Sequence, residues 1–376
     1  MQKDISYMAN KYRSDPSPNG TICANNNLVS LTIYEMAKVT ILGAGILGLA
    51  VASQLPKDYD ITIVARNLPG DAESDEWASP WAGAVFMGMD NSIEKEQKLQ
   101  LDSFSVWWKL ALSHPESSIR RVRMQDLIDS TPLDKLWYHK KMPGFRVMGK
   151  EELPPDAPLG MEYESIILIP SVFLRWLRER LEASGVKFKR LTVNSLADLR
   201  GMGHDVLVNA SGIGSRYLKD VDDEKVQEVR GQTVLVKSDF NKIWIRRGKD
   251  YTYALGRPDG TAILGGIKQF DNTSKEVDDD LRADILHRIH ENLPEEFPSP
   301  AAKDFNIIRD IVGIRPQRAG GIRLEKEVLD GQKLVHVYGT SGGGYIFSWG
   351  LAREACRLVN DFYFASVVPI PVLAKI

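Results

Sequence analysis

The sequence has almost no cysteine. Only Cys23 and Cys356 occur in 376 residues, which excludes a disulfide framework and a cysteine-built metal site and favours a reducing interior. It has little net charge. Forty-eight Lys and Arg against 50 Asp and Glu leave −2, so there is no electrostatic case for nucleic acid or an anionic membrane as partner. It lacks a long hydrophobic run. The longest apolar stretch, Val39 to Leu55, is broken by Gly43, Gly45 and Gly48 and falls short of a membrane span. The first residues do not read as a good secretory signal, since Asp4, Lys11, Arg13 and Asp15 interrupt them and no apolar segment of the required length follows. The six histidines are scattered. They form no metal-ligand spacing and no Ser-His-Asp order, and no close carboxylate pair stands ready for acid–base work.

What is present is an ordinary soluble composition, 43% hydrophobic and 26% charged, in a chain long enough for two domains. Residues 1–35 show no sustained periodicity and read as a disordered extension, or as sequence upstream of a start at Met36. The chain then runs Val39-Thr40-Ile41-Leu42-Gly43-Ala44-Gly45-Ile46-Leu47-Gly48-Leu49. An apolar run entering G-x-G-x-x-G predicts a buried parallel strand, a tight turn and a helix whose N-terminus offers N–H groups to a pyrophosphate. Gly43 permits the turn, Gly45 the approach of phosphate and Gly48 the packing of helix on strand. Asp60-Ile61-Thr62-Ile63-Val64 supplies the expected second strand. The alternative is a strand–helix turn whose glycines only pack.

Further on, Trp77 to Ala84 is a small-residue segment able to lie against a flat cofactor, or simply a packed loop. Residues 93–113 predict an amphipathic helix. Pro154, Pro155 and Pro158 punctuate short pieces before a strand at 166–169 and a helix at 171–184. Strands are predicted at 186–193 and from Asp205 into the turn Ala210-Ser211-Gly212. A β-rich part follows at 233–237, 243–246, 252–255 and 262–266, then a polar helix at 277–293 and strands at 306–315 and 335–338. A second glycine turn, Gly339-Thr340-Ser341-Gly342-Gly343-Gly344, leads into a helix through Leu358. The dinucleotide part is therefore discontinuous.

Four stretches in this order resemble the FAD-dependent D-amino-acid oxidase family, its fungal members above all. They are VTILGAGILGL at 39–49, ASPWAGA at 78–84, the pair VRGQTVLV at 229–236 and VGIRPQRAGGIRLE at 312–325, and VHVYGTSGGGYIFSWG at 335–350. The resemblance spans roughly 38–360. It implies an α/β fold: a discontinuous Rossmann-type FAD-binding domain (36–115, 165–230 and 310–365) with an α+β substrate domain (116–164 and 231–309) on a mixed, twisted β-sheet. FAD would lie on Gly43, Ala44, Gly45, Ile46, Leu47 and Gly48, against Ser79, Ala82, Gly83, Ala84, Val193 and Ser211. Ser341, Gly343, Gly344, Tyr345 and Ile346 would wrap its ring. Arg66 ends the second strand where an acid is common. Fungal relatives are similar there, although on physics alone an arginine also suits the 2′-phosphate of NADP.

The resemblance further implies that Arg315 clamps the substrate carboxylate, with Tyr253 assisting and the Gly342 carbonyl receiving the amine. A guanidinium fork suits that task. The implied reaction is oxidative deamination of a D-amino acid by hydride transfer from Cα to the flavin. The imino acid then hydrolyses to a 2-oxo acid and ammonia, and O2 is reduced to hydrogen peroxide. Lys268 stands where neutral-specific yeast relatives carry tyrosine and D-aspartate oxidases carry arginine, which leaves acidic substrates open, while Ile346 and Phe347 favour neutral ones. Arg246 and Arg247 face the pocket or form a solvated strand edge. A glycine or sarcosine oxidase and an NAD(P)-dependent dehydrogenase remain alternatives within this reading. The final Ala374-Lys375-Ile376 resembles a peroxisomal address and implies an import receptor as partner, the alternative being a cytoplasmic enzyme. The oligomeric state, a homodimer included, is left open.

Overall fold

The computed structural model describes residues 36–367 apart from 73, 75, 76, 155, 249 and 271, with no side chains described beyond 364. The expectations for residues 1–35 and for the tail tripeptide lie outside the described residues. In chain order the elements are β1 (Lys38–Leu42), α1 (Ile46–Gln54), β2 (Asp60–Ala65), α2 (Glu94–Ser113), β3 (Arg120–Ile128), β4 (Arg146–Val147), β5 (Gly160–Ile167), α3 (Pro170–Ala183), β6 (Lys187–Arg190) and β7 (Val206–Asn209). They continue with β8 (Val226–Lys237), β9 (Ile243–Arg247), β10 (Thr252–Gly256), β11 (Thr261–Gly265), β12 (Gln269–Phe270), α4 (Asp279–Asn292), β13 (Ile307–Arg318), β14 (Arg323–Leu329), β15 (Gln332–Tyr338) and α5 (Gly344–Val367).

The strands form two sheets. The first runs β14-β15-β7-β1-β2-β6 and is parallel except for β14 on its edge. Its central strands β15, β7, β1 and β2 are largely apolar on both faces, as a sheet covered on both sides requires. Ile41, Ile63, Val208, Val335 and Val337 join the core that contains Leu49 and Val51 of α1 and Leu351 and Ala355 of α5. Leu42, Val64, Leu207 and Leu334 alternate to the other face and pack on Leu196, Leu199 and Leu218. Each such buried side chain stabilises by about 1.5–3 kcal/mol relative to exposure.

The second sheet runs β12-β8-β11-β10-β9-β3-β5-β4, and β13 pairs with β8 along most of its length. It is antiparallel except where β3 meets β9. Ala254, Leu264, Val234 and Trp244 face Ile285, Leu286 and Ile289 of α4. Period-2 alternation then turns Tyr253, Leu255 and Ile263 to the opposite face, into the core shared with the first sheet's helices.

Strands β3 and β14 are among those that carry no expectation in the sequence. β3 begins Arg-Arg-Val-Arg and is apolar only from Met124, and β14 reads Arg-Leu-Glu-Lys-Glu. Both are specified by the neighbours they pair with. β5 starts at Gly160, six residues ahead of the expected strand, because the prolines end just before it. Among the described residues no helix is long and apolar enough to cross a membrane. Among them no group of three His, Cys, Asp or Glu could hold a metal ion.

Candidate active site

The carboxyl edge of the first sheet carries the predicted cofactor residues. Gly43 adopts φ +112°, a conformation that only glycine takes readily. Its N–H donates to Val64 O at 2.8 Å. A Cβ there would stand 2.4 Å from Ala210 O, and one on Gly48 1.9 Å from Gly43 O. The glycines thus let strand, turn and helix close on one another. The Ile46 N–H donates to Ser79 Oγ at 3.0 Å, and the first intrahelical bond is Leu49 N–H to Gly45 O. Helix α1 therefore presents its N-terminal dipole and N–H groups at this edge. Ala44, Ile46 and Leu47 are buried beside the turn.

Ser79, Ser211 and Gly344 converge on the same turn. A Cβ on Gly45 would meet Ser79 Oγ, one on Gly43 would meet the Ser211 backbone, and one on Gly344 would touch Ile46. The Tyr345 hydroxyl donates to Ser79 O at 3.0 Å, and Trp107 Nε1 donates to Tyr345 O at 3.0 Å. Ile346 packs in the core. Ser341 holds φ +52° at the start of the loop, while nothing lies within 4 Å of a Cβ built on Gly342. Arg66 is exposed at the end of β2. The nearest acid in sequence, Asp71, is committed elsewhere: Arg190 holds it bidentately at 2.6 Å and lowers its pKa to about 2. Val193 is half-buried and packs against the cluster that contains Leu42, Val64 and Leu196.

The second sheet supplies a cationic cluster. Arg315 on β13 pairs with Val229 and reaches across β8. Its guanidinium lies on Gly231, where a Cβ would stand 2.2 Å from Nη1 and 2.7 Å from Cζ. Nη1 donates to Ile267 O at 3.1 Å. Among the described residues no carboxylate pairs with Arg315 or Lys268. Tyr253 lies beside Arg315. Burial raises its phenol pKa and the guanidinium works in the other direction. Lys268 Nζ sits 5.0 Å over the Tyr251 ring, and its pKa is lowered by burial and then by Arg315 and Arg247. The Tyr251 and Tyr253 rings meet edge-on at 5.4 Å. The Gly265-Gly266 pair makes room for them, since a Cβ on either would stand within 2.4 Å of the Tyr253 ring. Arg288 of α4 holds this corner by donating to Tyr251 O at 2.6 Å and Gly266 O at 3.2 Å.

Two contacts tie the cationic cluster to the cofactor edge. Trp81 packs on Gly313, two residues before Arg315. Arg257, at the end of β10, donates to Gly83 O at 3.0 and 2.8 Å and to Ala82 O at 3.4 Å. Burial lowers the Arg257 pKa to about 10. Ala84 is pinned to Leu168 by a reciprocal pair of backbone bonds, at 3.2 and 3.0 Å.

The solvated edge expected for Arg246 and Arg247 is not found. Arg246 is bonded to Asp129, Asp156 and Asn292, and its side chain is 8% exposed. Arg247 binds fully buried Asp126 at 2.7 and 3.0 Å and also pairs with Asp90 and Tyr138. All these partners are distant in sequence, so local pattern could not show them. Gly231, Tyr251, Arg257 and Arg288 carried no expectation either. For Gly231 the available signal was a glycine between Arg230 and Gln232, just ahead of the strand expected at 233–237, since a glycine at a strand can mark a close approach.

Residues 38–358 match the sequence family described as FAD dependent oxidoreductase, DAO. The chain belongs to this family. It is 29% identical over 350 residues to a D-amino-acid oxidase of Fusarium vanettenii, covering 86% of this chain and 96% of that protein. It is 30% identical over 360 residues to a D-aspartate oxidase of Talaromyces thermophilus, covering 86% and 95%. The crystal structure of L-proline dehydrogenase from P. horikoshii superposes with a TM-score of 0.70 at 12% identity, covering 87% of this chain and 94% of that one, which shows a shared fold. FAD is the family's cofactor, and the glycine turn fits it. The three glycines let β1, the turn and α1 close tightly, which brings the N-terminus of α1 to the turn, and nothing stands within 4 Å of a Cβ built on Gly342.

Proposed function

We propose that this DAO-family oxidase oxidises D-amino acids to 2-oxo acids, with release of ammonia and hydrogen peroxide. The observation that carries the reading is Arg315, a half-buried guanidinium with no carboxylate partner among the described residues, lying between Tyr253 and Lys268. An unneutralised guanidinium against a flat glycine surface suits a planar carboxylate from the substrate, and such a charge-assisted contact is worth about 1.5–3 kcal/mol. Bound FAD supplies the two-electron acceptor for the Cα–H bond and passes the electrons to O2. The protein orients. Arg315 and the Tyr253 hydroxyl hold the carboxylate, and the Gly342 carbonyl takes the amine. Tyr251 and Tyr253 both have raised pKa values, so near neutral pH each is a hydrogen-bond donor rather than a base. The test is anaerobic mixing with D-alanine and D-aspartate: the flavin absorbance bleaches with the D and not the L enantiomers, and an unbleached flavin rejects the assignment.

Lys268 favours a second reading, preference for acidic D-amino acids. Lys268 is exposed as a residue, and its ammonium stands near enough to Arg315 for the guanidinium to lower its pKa, with no carboxylate partner among the described residues, so two cations face the same space. A substrate with two carboxylates would satisfy both. The kcat/KM ratio of D-aspartate to D-alanine and D-methionine, in the native protein and in Lys268→Met, decides between the readings.

A further inference from the structure

Behind the cofactor edge lies a closed chain of polar side chains that the proposed chemistry does not use. Asn209 ends β7 in register with His336 of β15, and both are buried. Asn209 Oδ1 accepts from the Ser211 N–H at 3.1 Å and from the Ser211 hydroxyl at 2.7 Å. Asn209 Nδ2 donates to Ser215 Oγ at 3.3 Å and lies 3.2 Å from His336 Nδ1. His336 Nε2 lies 2.9 Å from Glu327 Oε2. The donors and acceptors fit one assignment only. With Oδ1 taken by Ser211, the amide nitrogen faces His336, so Nδ1 must accept and Nε2 must carry the proton toward Glu327.

We propose that His336 and Asn209 are positioning residues for the cofactor, a relay in which neutral His336 fixes the Asn209 amide and so holds Ser211 against the Gly43 turn. Protonating His336 puts an N–H where the Asn209 NH2 already points. The conflict is relieved by turning the amide, which presents NH2 to the Ser211 N–H and breaks that bond, while the Ser211 hydroxyl has to reverse from donor to acceptor. Ser211 then loses its place beside Gly43, where its Cα lies 3.3 Å from a built Cβ. FAD is held by the neutral relay and released as the pH falls.

The surroundings of His336 agree. Strand β14 brings Glu325, Glu327 and Arg323, of which Arg323 bonds Glu327 at 2.9 Å and the Tyr338 hydroxyl at 2.8 Å. From its own strand Tyr338 meets the ring edge-on, with Asp223 and Arg318 behind it. The 212–216 turn contributes Ser215. The α5 side of β15 carries Val335 and Val337. Burial and Arg323 favour the neutral ring against the pull of Glu327.

This inference rests on FAD seated against Ser211. The experiment measures FAD affinity of the full chain by flavin fluorescence between about pH 8 and pH 4.5, a span carried to the acid side of an ordinary imidazole titration because the His336 pKa is lowered. In the native protein affinity should fall about tenfold across that span, the effect of one lost neutral hydrogen bond. In His336→Gln it should change by less than about twofold. Asn209→Asp should also keep FAD at low pH, since its carboxylate accepts from both Ser211 and a protonated His336. Circular dichroism at each pH confirms folding, and if His336→Gln does not fold, Asn209→Asp carries the test. A native protein with no pH dependence, or variants that keep the native fall, overturn the relay alone. A native protein that binds no FAD at any pH overturns the cofactor placement with it.

Discussion

Gly231→Ala tests the carboxylate clamp without replacing any group that would contact substrate. The added methyl would stand 2.2 Å from Arg315 Nη1 and 2.8 Å from Nη2. Restoring an ordinary contact of about 3.5 Å moves the guanidinium by roughly 1.3 Å. That shift strains or breaks the bond to Ile267 O, now 3.1 Å. Gly231 has no positive φ, and the obstructed atoms are the end of a flexible side chain, so the strand accepts alanine and Tm should stay within a few degrees. Activity should not survive as well. A displacement of about 1 Å in a positioning group costs on the order of a hundredfold, which is about 2.7 kcal/mol in transition-state stabilisation. Steady-state kcat/KM for D-alanine should fall by that factor while flavin content is unchanged. Arg315→Ala should lose at least as much, and adding Gly231→Ala to it should cost little more, because the two changes remove one interaction. Activity within twofold of native in Gly231→Ala, or full additivity in the double variant, would refute the clamp.

Other perturbations follow from the same geometry. Lys268→Met should lower the D-aspartate to D-alanine ratio by about tenfold or more if a desolvated charge pair is lost. Because the Lys268 pKa is lowered, its positive charge is present at low pH and lost earlier than for an ordinary lysine as pH rises. Any native preference for D-aspartate should therefore fade toward alkaline pH, and an unchanged ratio would exclude Lys268 from recognition. Gly45→Leu should give a folded but colourless protein, since even a Cβ there stands 2.9 Å from Ser79 Oγ; normal flavin occupancy would disprove the placement. Arg247→Met leaves Asp126 buried without its cation, which should cost about 3–5 kcal/mol in denaturant unfolding. A loss below about 1 kcal/mol would mean the pair is solvated.

The parts of the molecule legible in the sequence are those specified locally. β1, β2 and β7 are apolar runs, and the glycine turn that follows β1 sits at the expected place. Helix α4 was visible from its polar pattern, and the structure adds the Asp278 cap, whose side chain accepts from Leu281 N–H. What stayed hidden depends on partners far along the chain. β3 looks like a charged loop until β5 and β9 flank it. Arg246 and Arg247 look solvent-facing until Asp129, Asp156 and Asp126 reach them from other segments. Arg315 could be named by its motif, but the glycine beneath it could not. Whether a strand glycine is a weak point or a seat depends on what the opposite strand lays across it.

The glycines of this site also bear on how it can change over generations. Gly43, Gly48, Gly231, Gly265 and Gly266 each hold a neighbouring atom where a methyl group would otherwise stand. Every substitution at them adds mass, so there is no graded series from large to small along which function can drift. A saturation screen should therefore show sharp intolerance at these five uncharged positions, while the side-chain end of the pocket at Lys268 tolerates exchange. New substrate preferences would then arise around Lys268, against a carboxylate seat and a cofactor turn that admit no intermediate forms.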